Sequence, residues 1–190
     1  MDQDCHQKLK PGSYYHIYNR GNNKEIIFKE SANYYYFLKL WWRHITPVAK
    51  TYCYNLLPNH FHFFIKIEEH VNDKAASKAL SNLCNAYAKA INKKYERTGS
   101  LFQERFKRKE IKDDNYFTYI IFYILTNATK HGICNKVEAY EHSAYQSIVS
   151  GEHTRLMREE VLNWFSDTAT FIKLVKKYDC ELRPNRSKTC

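Results

Sequence analysis

The 190 residues hold one compact domain plus a short appendage, and are too few for two ordinary domains. Thirty Lys and Arg against twenty Asp and Glu leave a formal charge of +10, and Tyr, Phe and Trp make up 16% of the chain. That balance points toward polyanions, with aromatic rings on which unpaired bases can stack. No run approaches the roughly 18 apolar residues of a membrane-spanning helix, and the polar first ten residues lack the apolar core of a signal peptide. The six cysteines, at 5, 53, 84, 134, 180 and 190, include no C-x-x-C pair, which excludes a zinc knuckle and fits unpaired thiols in a reducing cytoplasm.

Tyr14 to Asn19 is aromatic and β-favouring, and Arg20-Gly21-Asn22-Asn23 closes it as a turn. Ser31 can cap a helix running to about His44, with Tyr35, Leu38 and Trp42 on one stripe and one of Trp41 and Trp42 in the core. Val48 to Leu57 and His60 to Glu68 read as two strands joined at Leu57-Pro58-Asn59. A long helix follows from about Asp73 to Arg97, its apolar stripe being Ala76, Leu80, Leu83, Tyr87 and Ile91, and Thr98-Gly99-Ser100 ends it. A fourth strand is centred on Phe106 to Ile111. Asp113 or Asp114 then caps a helix from about Asn115 to Lys130, with Gly132 just beyond its end. The order β-α-β-β-α-β is the split βαβ, or ferredoxin-like, arrangement in the α+β class: an antiparallel sheet with one added helix. Residues 1–132 form this core. Residues 133–190 are read as a loop, a helical extension around Leu156 to Lys177, and a mobile polar tail from Arg183 to Cys190.

Chemistry concentrates in two places. Along the third strand, alternation sends Phe61, Phe63, Ile65 and Ile67 to one face and His60, His62 and Lys66 to the other. The two imidazoles then stand about 7 Å apart along the strand, where both can converge on one divalent cation. The residues alone leave this evenly balanced against two half-buried histidines. His16 shares the first strand's pattern and is not counted as a ligand. On the later helix, Tyr123 and Asn127 are four residues apart and share a face, offering a phenol nucleophile and a hard oxygen ligand. Alone this pairing is weak, and Tyr116 and Tyr119 are rivals.

Four runs in order carry a resemblance. They are Tyr15-His16-Ile17-Tyr18-Asn19-Arg20-Gly21, Leu57-Pro58-Asn59-His60-Phe61-His62, Gly99-Ser100-Leu101-Phe102-Gln103-Glu104-Arg105-Phe106, and Tyr123-Ile124-Leu125-Thr126-Asn127-Ala128-Thr129-Lys130-His131-Gly132. Over residues 14 to about 148 the chain resembles the single-strand insertion-sequence transposases of the HUH single-tyrosine type, above all the REP-associated tyrosine transposases. It departs from their pattern at Ala128-Thr129, where proline and valine are usual, and at Tyr140-Glu141-His142-Ser143, where Trp-Ser-Ser is common. The resemblance implies that His60 and His62 match the family's His-hydrophobic-His metal motif, with Asn127 as third ligand to Mg²⁺ or Mn²⁺. Tyr123 falls at the nucleophile that cleaves and rejoins single-stranded or hairpin DNA through a 5′-phosphotyrosine. Relatives of this kind act as homodimers or monomers. The competing reading is a non-catalytic, domesticated hairpin-DNA-binding protein.

Candidate DNA contacts are Arg20, Asn22, Asn23 and Lys24 in the first loop, and the basic run Arg105, Lys107, Arg108, Lys109 and Lys112 beside the tyrosine helix. That run reads equally as a solvated strand. Lys89, Lys93, Lys94 and Arg97 read as a solvated helix face.

Overall fold

The computed structural model describes residues 7–182 apart from Asp114 and the side chain of Asn115. Four strands, β1 (Tyr14–Arg20), β2 (Ala49–Leu57), β3 (His60–Ile67) and β4 (Lys107–Ile111), form one sheet in the order β2-β3-β1-β4. Every neighbouring pair is antiparallel. That order, with helices α1 (Ser31–Ile45) and α2 (Asp73–Lys94) as crossovers, is the ferredoxin-like split βαβ. The chain thus has the expected α+β architecture.

The two crossovers pack together over one face of the sheet. On β3, Phe61 meets Phe37 with ring centroids 4.9 Å apart, and Phe63 stacks on Trp41 at 3.4 Å. The anticipated α2 stripe of Ala76, Leu80, Leu83, Tyr87 and Ile91 is buried throughout, and Asn72 caps the helix by accepting from the Ala75 N–H. The helix stops at Lys94, a turn earlier than anticipated, where Glu96 and Gly99 take positive φ.

Helix α1 is rotated by one residue from the expected stripe. Tyr34, Phe37, Trp41 and Ile45 are buried, while Tyr35 is 62% exposed and Trp42 only partly covered. Both stripes are apolar at helical spacing. The one that faces inward gives Trp41 Nε1 a buried acceptor, Thr51 Oγ1 at 3.1 Å, as well as the Phe61 and Phe63 rings. Ser31 is the first helical residue, with Glu30 at the cap position, and the Asn33 side chain accepts from the Lys29 N–H.

The other face of the sheet carries α3 (Asn115–Leu125). Its Phe117 packs on Tyr14 of β1 and Phe64 of β3. The helix expected to run to Lys130 is interrupted at Thr126, after which a short turn, α4 (Asn127–Lys130), follows. Beyond Gly132 the chain holds α5 (Tyr145–Val149), α6 (Arg158–Asn163) and α7 (Thr168–Glu181). The expected single helical segment is therefore two helices. They part where Ser166 takes φ 74° and Asp167 caps α7 by accepting from Thr170. This region hydrogen-bonds along β2 through Leu56 N–H to His142, Ala144 N–H to Tyr54 and Met157 N–H to Thr51. Covered on both sides, β2 is buried along almost its whole length. The tail from Arg183 lies outside the described residues. Cys53 and Cys84 are free thiols, whereas Cys180 is disulfide-bonded, against the expectation that all six cysteines are unpaired. Among the described residues no helix is long and apolar enough to cross a membrane.

Candidate metal and nucleophile site

Strand register places the site. Tyr18 pairs with His62 and Arg20 with His60 across β1 and β3, while Asn55 and Leu57 of β2 lie opposite the same two histidines. Directly paired residues share a face, so these side chains rise together beneath α3. The imidazoles of His60 and His62 sit with centroids 5.1 Å apart and planes at 87°. Tyr123, partly exposed on α3, stands with its ring centroid 5.6 Å from His62 and 5.7 Å from His16. The Lys130 ammonium lies 5.5 Å from the centre of the Tyr123 ring, and the His131 ring lies 5.3 Å from His60.

The break at Thr126 sets the position of Asn127. The last four carbonyls of a helix have no partner within it. Here each is taken by a side chain. Thr126 Oγ1 donates to Phe122 O at 2.7 Å, and Asn127 Nδ2 donates to Tyr123 O at 3.3 Å. Asn55 Nδ2, wholly buried on β2, donates to Ile124 O at 2.8 Å and Leu125 O at 3.2 Å. With its nitrogen committed to the helix end, Asn127 turns Oδ1 toward His60 Nε2, 3.5 Å away.

Protonation follows from burial. Desolvation pulls the pKa of His60 down to about 4, with the Asn127 contact partly opposing it. His62 is held well below the ordinary value by desolvation and then by the nearby histidines. Both rings are neutral at pH 7, as metal ligation requires. The Nδ1 of His60 faces Asn59 Oδ1 at 2.6 Å, a closer contact than the 3.5 Å from Nε2 to Asn127 Oδ1, so the single proton of the neutral ring is better held at Nδ1 and Nε2 is the nitrogen left to ligate. The imidazole nitrogens and the amide oxygen thus fit a divalent ion by donor type. Among the described residues no group of three His, Cys, Asp or Glu is arranged to hold a metal, so such a site depends on Asn127.

His16, which its strand pattern alone does not mark as a ligand, lies inside the site. It is 6% exposed, its Nε2 is 2.8 Å from His62 Nδ1, and desolvation followed by the charge of Lys109 lowers its pKa to about 3. Its alternation with buried Tyr15 and Ile17 was the available signal.

The proposed DNA contacts divide. Arg20 stands in register with His60; among the described residues its Nε has no hydrogen-bond partner. Asn22, Asn23 and Lys24 form a short 3₁₀ turn beside it, with Asn23 and Lys24 exposed and in left-handed conformation. Along β4, Lys107 pairs with Tyr18 and Lys109 with His16, on the site face. Arg108 points the other way, its Nη1 donating to Ser77 of α2 at 2.8 Å and lying 3.6 Å from Asp73. Arg105 is exposed before the strand. Lys112 is exposed beyond it, 3.9 Å from Glu110. The basic run is not one stripe, because a strand sends successive residues to opposite faces.

No protein-family model and no curated protein sequence matches the chain. Among solved structures, a REP-associated tyrosine transposase bound to a REP hairpin is similar in fold. The TM-score is 0.66 at 18% identity, covering 82% of this chain and 90% of that one. At that identity the likeness is one of fold.

Proposed function

We propose that the protein is a divalent-metal-dependent DNA strand transferase that cuts and rejoins single-stranded, hairpin-bearing DNA through Tyr123, in the manner of a REP-associated tyrosine transposase. The observation that carries this reading is the convergence of His60 Nε2 and Asn127 Oδ1, 3.5 Å apart, beside a histidine that borders the Tyr123 ring. The similar fold of a transposase bound to a hairpin adds to it.

In this mechanism His60, His62 and Asn127 would hold Mg²⁺ or Mn²⁺, which when bound would supply Lewis-acid withdrawal of charge from the scissile phosphate. The Tyr123 oxygen forms a bond to phosphorus as the bond to the 3′ oxygen breaks. The phenolic proton is lost, and the departing oxygen ends as a 3′-hydroxyl. The resulting 5′-phosphotyrosine retains an ester linkage, so a second 3′-hydroxyl can displace Tyr123 and rejoin the strand without a nucleotide cofactor. Arg20, in register with His60, and Lys130, over the Tyr123 ring, would neutralise the phosphate. Lys107 and Lys109, with Arg105 and Lys112 at the strand ends, carry the backbone, and Asn22, Asn23 and Lys24 contact the hairpin foot. Arg108 braces β4 against α2 instead.

Incubating the protein with Mn²⁺ and an end-labelled single-stranded hairpin tests this reading. A denaturation-resistant protein–DNA adduct is expected with the wild type and lost in Tyr123→Phe, while hairpin binding survives. Tight binding with no adduct in either Mg²⁺ or Mn²⁺ would instead establish a non-catalytic hairpin-binding protein.

A further inference from the structure

Neither imidazole of the site hangs freely; each is held at Nδ1. For His60 the partner is Asn59 Oδ1, 2.6 Å away. The orientation of that amide is fixed from its other end, where Asn59 Nδ2 donates to the Lys24 carbonyl at 3.2 Å. Both ring nitrogens of His60 face amide oxygens, which only accept, but a neutral ring has one proton; the 2.6 Å contact at Nδ1 is far closer than the 3.5 Å contact at Nε2, which favours the proton on Nδ1 and the lone pair on Nε2. The Lys24 carbonyl is itself set by the left-handed Asn23 and Lys24, and the Gly21 N–H donates to the Asn59 carbonyl at 2.8 Å. The first loop and the turn before β3 thus hold this ring jointly.

For His62 the partner is a second ring. His62 Nδ1 and His16 Nε2 lie 2.8 Å apart, in a contact where both residues are almost fully buried. One nitrogen must donate and the other accept. A histidine that ligates a metal through one nitrogen characteristically donates its other N–H to a neighbouring acceptor. We infer that His16 is that acceptor. Asn59 and His16 are therefore positioning residues that hold His60 and His62 in the same Nδ1–H form and turn both Nε2 lone pairs toward one divalent cation. This inference rests on the metal site proposed above and adds the two residues that orient it.

The assay uses the full chain, labelled with ¹⁵N at histidine and free of metal. Long-range ¹H–¹⁵N correlation spectra at pH 7 should show His60 and His62 both as Nδ1–H tautomers. Mn²⁺ binding, followed by electron paramagnetic resonance, should weaken about ten- to a hundredfold in Asn59→Ala and in His16→Phe. His16→Gln, whose amide oxygen can still accept, should recover much of that loss, which a role in packing alone would not predict. A proton on Nε2 of either ring in the metal-free wild type overturns the inference. So does wild-type Mn²⁺ affinity in a folded Asn59→Ala variant. A wild type that shows the expected tautomers but binds no Mn²⁺ instead overturns the metal site and leaves the tautomer assignment standing.

Discussion

Lowering the pH should unfold the metal-free protein through its buried histidines. In the folded state His16 titrates at about 3, because it is desolvated and faces Lys109, and His60 at about 4. His62 is shifted in the same direction by the same kind of burial. In the unfolded chain each returns to about 6.5. Between those values the unfolded chain binds protons that the folded one refuses, so stability falls as pH falls through this window. From pH 7 to pH 5, a single group neutral in the fold and titrating near 6.5 when unfolded costs ~2 kcal/mol. His16 accounts for that much alone. His62 deepens the loss, and His60, partly solvent-screened, adds a smaller share. Set against a typical domain stability of about 5–15 kcal/mol, the drop is large. Urea unfolding followed by tryptophan fluorescence across pH 7 to 5 in chelator measures it. The high net charge adds its own acid lability, so the decisive comparison is His16→Phe. That variant should lose about one proton of linkage, flattening the slope by ~1.4 kcal/mol per pH unit. Wild-type stability that is level or rising toward pH 5, or a variant slope equal to the wild type's, would refute the argument.

Asn55→Ala removes the donor to the Ile124 and Leu125 carbonyls in a fully buried position. It should lower the unfolding free energy by about 2–3 kcal/mol in urea melts, and adduct yield with it, because the end of the Tyr123 helix loses its anchor. Lys109→Gln, on the site face of β4, should reduce the slope of log affinity for a hairpin against log salt by about one. Arg108→Gln should leave that slope unchanged, since its guanidinium is directed to Ser77 and Asp73.

The parts of this fold that were legible in the sequence are those where one periodicity had one solution. Alternation along His60 to Ile67 places Phe61 and Phe63 under α1 and both histidines on the opposite face, because a strand offers only two sides. The α2 stripe was likewise unambiguous. In α1, two adjacent stripes were equally apolar, and the choice fell to partners distant in the chain, Thr51, Phe61 and Phe63. The role of His16 was hidden for a related reason. Its neighbour is decided by the β1–β3 register, in which Tyr18 rather than His16 pairs with His62, and the His16 ring reaches His62 along the diagonal. The split of the basic run followed from strand alternation, and was missed because β4 is only five residues long and its bounds were uncertain from sequence.

The site turns on the break at Thr126. Asn127 meets two demands at once: its Nδ2 donates to the carbonyl of Tyr123, and its Oδ1 faces Nε2 of His60. A carboxylate could meet only the second demand, because it has no donor for the helix end. An alanine could meet neither. One amide thus ties the backbone of the proposed nucleophile to a proposed ligand. Asn55 and Thr126 hold the remaining carbonyls, so that end of the helix has little freedom to swing away. The geometry that holds the Tyr123 phenol beside the imidazoles is therefore built into the way a helix ends, rather than into the helix itself.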